Sequence, residues 1–167
     1  MKKGTDFYYT SEEMVKDLLS ITPISGSVLD AGSGRNKVWF KEFMKITGQG
    51  YECEIEDGYN YYDWDKRVNW VVGNPPWRHD GKNQVWLWIK KASEIADDGF
   101  AFLLNHKVFN TLTPARLQEL SEKGFNLQHI RITADKRWFG RYYYLIWRKK
   151  KSRLLSWIYP PNLLSQV

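Results

Sequence analysis

Six short runs of strand-forming residues, each stopped by turn residues, govern what this chain can fold into. They are SVLDAG (Ser27–Gly32), GYECEIE (Gly50–Glu56), VNWVVG (Val68–Gly73), GFAFLLN (Gly99–Asn105), FNLQHIRI (Phe125–Ile132) and RYYYLIWRK (Arg141–Lys149). Helical periods separate most of them. TSEEMVKDLLSI (Thr10–Ile21) reads as a helix capped by Thr10 or Ser11. Further helices are predicted near Asn36–Ile46, Gln84–Ala96 and Pro114–Lys123, the last opening on an early proline. Strand and helix in alternation predict a parallel α/β sheet covered on both faces. The last two runs lack an intervening helix and predict an antiparallel hairpin at one end. In sheets of this kind ligands bind outside the carboxyl ends of the strands.

Composition narrows the function classes. A chain of 167 residues is most simply one domain, 1–167. No apolar run nears the roughly 20 residues of a membrane span, and the MKKG start lacks the apolar stretch of a signal peptide. A cytoplasmic location is therefore expected. The single cysteine, Cys53, rules out an internal disulfide and reads as buried core. His79, His106 and His129 have no metal-type spacing, so no metal is expected. The net charge of +6 points to a polyanionic partner, and nine tryptophans and ten tyrosines supply faces able to stack on bases. The basic run RKKKSR (Arg148–Arg153) leads into a short basic and apolar tail, 150–167.

The chemistry-bearing residues fall at strand ends. In VVGNPPW two prolines fix φ twice and remove two amide donors, so neither strand nor helix continues. Asn74, before a proline, is pushed to an extended conformation. The turn is thus stiff and holds one amide and one indole in fixed directions. The first strand ends in DAGSG, whose glycines let backbone approach a ligand. With Asp30 beside it and no P-loop lysine, that turn suits a cationic or amine-bearing ligand rather than a pyrophosphate. Strand two ends with Glu54 and Glu56, where a carboxylate can accept from ribose hydroxyls. Asp63, in YYDW, is expected beyond a third short strand, placed to accept from an adenine amino group.

TDFYYTSEEMVKDLL, VLDAGSG, YECEIE, YYDW and VVGNPPW, in this order, resemble the motifs of the S-adenosylmethionine-dependent amino methyltransferases. NPPW is similar to the Asn-Pro-Pro-aromatic motif of the adenine N6 DNA enzymes, and the opening segment resembles that of the gamma-order members. The resemblance runs from about Asp6 to Lys149. It implies a Rossmann-like class I methyltransferase fold: a mostly parallel seven-stranded sheet with an antiparallel C-terminal hairpin strand and helices on both faces. It implies S-adenosylmethionine held by Tyr9, Thr10, Asp30, Gly32, Gly34, Glu54 and Asp63. It further implies methyl transfer to the N6 amino group of a flipped DNA adenine by Asn74, Pro75, Pro76 and Trp77. The Asn74 side-chain oxygen and the Pro75 carbonyl would accept from the amino group, and Trp77 and Phe139 would sandwich the base. Arg78, Lys82, Arg137 and Arg141 are expected to contact the nucleic-acid backbone.

Two departures from the family pattern stand out. Arg35 and Asn36 follow Gly34 where a third small residue is usual, and no separate target-recognition region is recognisable. Specificity is then expected from loops, a homodimer or a partner. RNA adenine N6, cytosine N4 and protein glutamine methylation share the chemistry, and a catalytically idle nucleic-acid-binding module is the reading from another class.

Overall fold

In a computed structural model the described residues are 10–79, 82–133 and 141–149, side chains excepted at Arg78, His79, Lys82 and Asn83. Helix α1 (Glu12–Ile21) starts at Ser11, whose side chain accepts from the Met14 amide. Glu12 and Glu13 lie in its first turn, where negative charge meets free amides. It stops at Thr22, which is extended before Pro23. Met14, Val15 and Leu18 form the buried stripe.

Strand β1 (Val28–Ala31) leads to helix α2 (Val38–Thr47), and β2 (Gly50–Cys53) to β3 (Val68–Gly73). A two-stranded hairpin, β4 (Arg78–His79) and β5 (Lys82–Asn83), precedes helix α3 (Val85–Ile95). Then come β6 (Ala96–Asn105), the short α4 (Val108–Thr111), α5 (Pro114–Glu122), β7 (Asn126–Thr133) and β8 (Tyr142–Arg148). Thr113 caps α5, and Pro114 opens it as expected.

The main sheet has the order β2-β1-β3-β6-β8-β7. Strands β2, β1, β3 and β6 are parallel, and β8 runs antiparallel to both β6 and β7. The expected hairpin is therefore present. The sheet has six strands among the described residues, not the seven expected. The third short strand anticipated before Asp63 is replaced by two 3₁₀ turns, Ile55–Asp57 and Tyr61–Asp63. Gly58 at φ +86° and the Asn60 side chain, which accepts from the Tyr62 amide, bend this segment away from β2. Tyr61 then anchors it in the core instead of extending the sheet.

Alternation along the central strands divides the core. Leu29, Ala31, Val71, Phe100, Phe102, Leu145 and Trp147 face α3, α4 and α5. Val28, Trp70, Val72, Ala101, Leu103, Tyr144 and Ile146 face α1 and α2. Both faces are covered, which explains why β3 and β6 read as almost continuous apolar runs. Tyr144 also donates its buried hydroxyl to the Met14 carbonyl at 2.5 Å, tying α1 to the sheet. Among the described residues no helix is long and apolar enough to cross a membrane.

Candidate active site at the carboxyl edge of the sheet

Three chain exits stand side by side. Ala31 pairs with Cys53 on one flank and Gly73 on the other. Gly32, Glu54 and Asn74 consequently follow at one level of the parallel sheet. Gly73 is dictated by this closeness, because a Cβ there would lie 2.4 Å from the Ala31 carbonyl oxygen. Beyond it Asn74 is half-buried, Pro75 buried and Pro76 exposed. Trp77 is half-buried and packs against the core on the α3 side, so its indole is braced rather than free.

The glycine turn is stitched to the end of β2. The Gly32 and Ser33 amides both donate to the Cys53 carbonyl, at 2.9 and 3.1 Å. The Gly34 amide donates to Glu54 Oε2 at 2.6 Å, while Glu54 Oε1 accepts from the Glu56 amide at 3.4 Å. Glu54 is thus the strand-two carboxylate that meets the glycine turn. Glu56 lies farther out and pairs with exposed Arg35. Gly32 and Gly34 take φ values of +65° and +62°. Lys37 enters the same region at φ +50°, without a glycine's freedom. Its ammonium reaches Glu52 Oε1 at 2.5 Å and Asp57 Oδ2 at 3.3 Å, and Ser33 Oγ donates to Glu52 Oε2 at 2.9 Å. These carboxylates hold its ammonium above the usual lysine range, hydrogen bonding to Glu52 being the main cause.

Asp30 lies under this turn, 1% exposed. Its Oδ2 accepts from the Phe40 amide at 2.9 Å, capping α2 through space where Lys37 offers no side-chain cap. Its Oδ1 is buried without a hydrogen-bond partner among the described residues. Burial pushes its pKa up to about 8; the Phe40 amide opposes this, Glu52 and Glu54 add to it, and Lys37 opposes it. A buried carboxyl with an unpartnered oxygen is a costly arrangement. A cation delivered to that oxygen would offset the cost. Cys53, 2% exposed as expected, has its thiol pushed up to about 11 by burial and is no nucleophile at neutral pH.

Thr10 is buried at the start of the described chain. Asp63 is exposed at the end of its 3₁₀ turn, and Arg141 is exposed with its carbonyl accepting from the His106 amide. Tyr9, Arg137, Phe139, the side chains of Arg78 and Lys82, and the tail 150–167 lie outside the described residues. Among the described residues no group of three His, Cys, Asp or Glu side chains suits a metal ion.

Sequence reasoning missed the packing that joins the two halves of the site. Trp88, on the buried stripe of α3, presses on the glycine turn: a Cβ at Gly32 would meet its Cη2 at 2.8 Å. Tyr61 stacks tilted on Trp88 with centroids 4.5 Å apart and donates its hydroxyl to the Trp88 carbonyl. Tyr62 donates its hydroxyl to Gln84 Oε1 at 3.0 Å, and the Gln84 amide donates to the Trp77 carbonyl at 3.3 Å. The one signal in the sequence was the helical spacing that puts Trp88 on the apolar stripe of α3; that it meets Gly32 depends on the fold.

No protein-family model and no curated protein matches the sequence. Solved structures do. A protein of Pyrococcus horikoshii described as an RNA methyltransferase superposes with a TM-score of 0.63 at 17% identity, over 83% of each chain. Magnesium protoporphyrin IX methyltransferase of Synechocystis, solved with bound SAM, gives 0.58 at 11% identity, over 83% of this chain and 79% of that one. The 1,6-didemethyltoxoflavin-N1-methyltransferase of Burkholderia thailandensis, solved with S-adenosylhomocysteine, gives 0.56 at 14% identity, over 82% and 76%. At such identities the likeness bears on architecture alone: this chain has a Rossmann-like class I methyltransferase fold.

Proposed function

We propose that the protein is an S-adenosylmethionine-dependent methyltransferase that methylates the N6 amino group of adenine in DNA. The observation that carries this reading is the adjacency of three turns. The glycine turn after β1, the carboxylate turn after β2 and the Asn-Pro-Pro-Trp turn after β3 leave neighbouring parallel strands at one level.

The residues present fit the cofactor. Asp30 Oδ1, buried and without a partner among the described residues, suits an ammonium. The Glu54 carboxylate, held in place by the Gly34 amide, suits a vicinal diol, whose two hydroxyls can donate to its oxygens. Asp63, exposed after β2, is the acceptor for an adenine amino group. Bound there, S-adenosylmethionine supplies a methyl group on a sulfonium, a leaving group good enough that no covalent enzyme intermediate is needed.

The chain does the rest by position. An adenine amino nitrogen is a poor nucleophile because its lone pair is delocalised into the ring. Two acceptors, the Asn74 side-chain oxygen and the Pro75 carbonyl, draw its hydrogens and pull the nitrogen toward a tetrahedral form. The prolines hold both acceptors rigid, so little reorganisation is left for the transition state. Asn is neutral and costs less to bury than a carboxylate. Trp77, braced on the core, offers its face to a base extruded from the helix, worth about 1–3 kcal/mol of stacking. The charge of +6, with exposed Lys107 and Arg141 near the β6–β8 end of the same edge, favours a polyanionic substrate.

The test is transfer of labelled methyl from S-adenosylmethionine to separate pools of DNA, RNA and protein, followed by nucleoside analysis. N6-methyladenine in DNA is the expected product. Label confined to RNA, to cytosine N4 or to glutamine would replace this substrate assignment, and absence of transfer to every pool would refute the enzymatic reading.

A further inference from the structure

We propose that Tyr62 is a positioning residue that couples the cofactor half of the site to the turn that holds the base. The proposal rests on the functional reading above and names a residue which that reading does not use.

Tyr62 stands in the 3₁₀ turn Tyr61–Asp63, next to the carboxylate assigned to the cofactor's adenine. Its hydroxyl leaves that turn and donates to Gln84 Oε1 at 3.0 Å. Gln84 is the residue immediately before α3, and its own amide donates to the Trp77 carbonyl at 3.3 Å. Two hydrogen bonds thus connect the cofactor loop to the backbone of the stacking residue. The Tyr62 hydroxyl also accepts from the Trp88 side chain, and the other contacts are aromatic. Tyr62 meets Trp88 edge-on with centroids 6.3 Å apart, and Trp88 fills the space over Gly32.

Burial alone does not require this hydroxyl. Tyr62 is 36% exposed, and a phenylalanine would keep both ring contacts. Nor does the phenol serve as an acid, since burial pushes it up to about 12. The hydroxyl has two polar contacts, Gln84 and the Trp88 side chain, and of these it is Gln84 whose amide leads on to the Trp77 carbonyl. Ordering the Tyr61–Asp63 turn around a bound cofactor would fix Gln84, and Gln84 would fix the Trp77 carbonyl and the indole behind it. Cofactor occupancy then prepares the base pocket, and by reciprocity an occupied base pocket tightens cofactor binding.

The experiment compares wild type, Tyr62→Phe and Gln84→Leu. Calorimetry with S-adenosylhomocysteine measures the cofactor site alone. Fluorescence anisotropy with a labelled pool of 30-base-pair random duplexes, with and without S-adenosylhomocysteine, gives the ratio of the two DNA dissociation constants. The expected wild-type ratio exceeds one. In Tyr62→Phe it falls by about threefold to tenfold, the effect of one net hydrogen bond. Cofactor affinity without DNA stays within about twofold on the same scale. Gln84→Leu reproduces the loss, and the double variant adds nothing further, as expected when two residues act through one contact. In turnover assays KM for DNA rises while KM for S-adenosylmethionine measured without saturating DNA is unchanged. An equal ratio in wild type and Tyr62→Phe overturns the proposal, as does a wild-type ratio of one. Loss of ratio in Tyr62→Phe but not in Gln84→Leu overturns the route through Gln84. Failure of wild type to bind S-adenosylhomocysteine refutes the functional reading and this coupling with it, and the calorimetric arm separates that result from the others.

Discussion

Asp30→Asn tests how this protein treats its most deeply buried acid. In the folded chain Asp30 titrates near 8 against an ordinary value of 3.8. Because the folded value is raised, the contribution runs opposite to that of a salt-bridged carboxylate. Below about pH 4 both states are protonated and Asp30 costs nothing. Between about 4 and 8 the unfolded chain gives up the proton and the folded chain keeps it, so stability falls as pH rises. Each unit is worth about 1.4 kcal/mol, and three units, from about pH 4.5 to 7.5, therefore cost up to about 4 kcal/mol. Asparagine has nearly the same shape and keeps an oxygen for the Phe40 amide, but it cannot ionise. Its extra N–H group carries a fixed cost, which cancels when the two proteins are compared across pH. The assay is urea unfolding followed by far-UV circular dichroism at several pH values. The stability of Asp30→Asn relative to wild type should rise by about 2–4 kcal/mol over that window. Parallel curves, with a difference independent of pH, would refute the argument that burial keeps Asp30 protonated.

The remaining predictions follow from the same geometry. If a cofactor ammonium meets Asp30 Oδ1, binding expels the proton, so calorimetric affinity for S-adenosylmethionine should strengthen by up to about tenfold for each unit that pH rises toward 8. Asp30→Asn should abolish that dependence. Asn74→Ala should lower turnover by about 100-fold or more while the cofactor dissociation constant changes little, because a preorganised acceptor acts on the reacting amino group; near-normal turnover would sink the acceptor role. Gly73→Ala places a Cβ 2.4 Å from the Ala31 carbonyl oxygen and should cost about 1–3 kcal/mol in thermal or urea unfolding, since β1 and β3 would have to part.

Local rules explain why so much of the architecture is legible in the sequence. The alternation of strand and helix periods gave the parallel sheet, its two covered faces and the terminal hairpin. Ser11 and Pro114 marked helix starts because helix initiation depends on only three or four neighbouring residues. The stiffness of Asn-Pro-Pro-Trp needed no tertiary contact, since proline restricts its own backbone and that of the residue before it. The absent third strand was not legible. The tyrosines of GYNYYDW have good strand propensity; Gly58 and the Asn60 cap favour turns locally, and the buried seat of Tyr61 against Trp88 fixes the 3₁₀ turn. The roles of the acids were equally hidden. Asp30, Glu52 and Glu54 are similar carboxylates in the sequence, yet one is buried and kept protonated, one binds a left-handed lysine and one accepts from the glycine turn. Which fate each meets depends on solvent exclusion and on partners 10 to 20 residues away, as between Asp30 and Phe40, Lys37 and Glu52, or Gly34 and Glu54. Residue type sets what a side chain can accept or donate; desolvation and long-range neighbours, which exist only once the sheet has formed, set what it does.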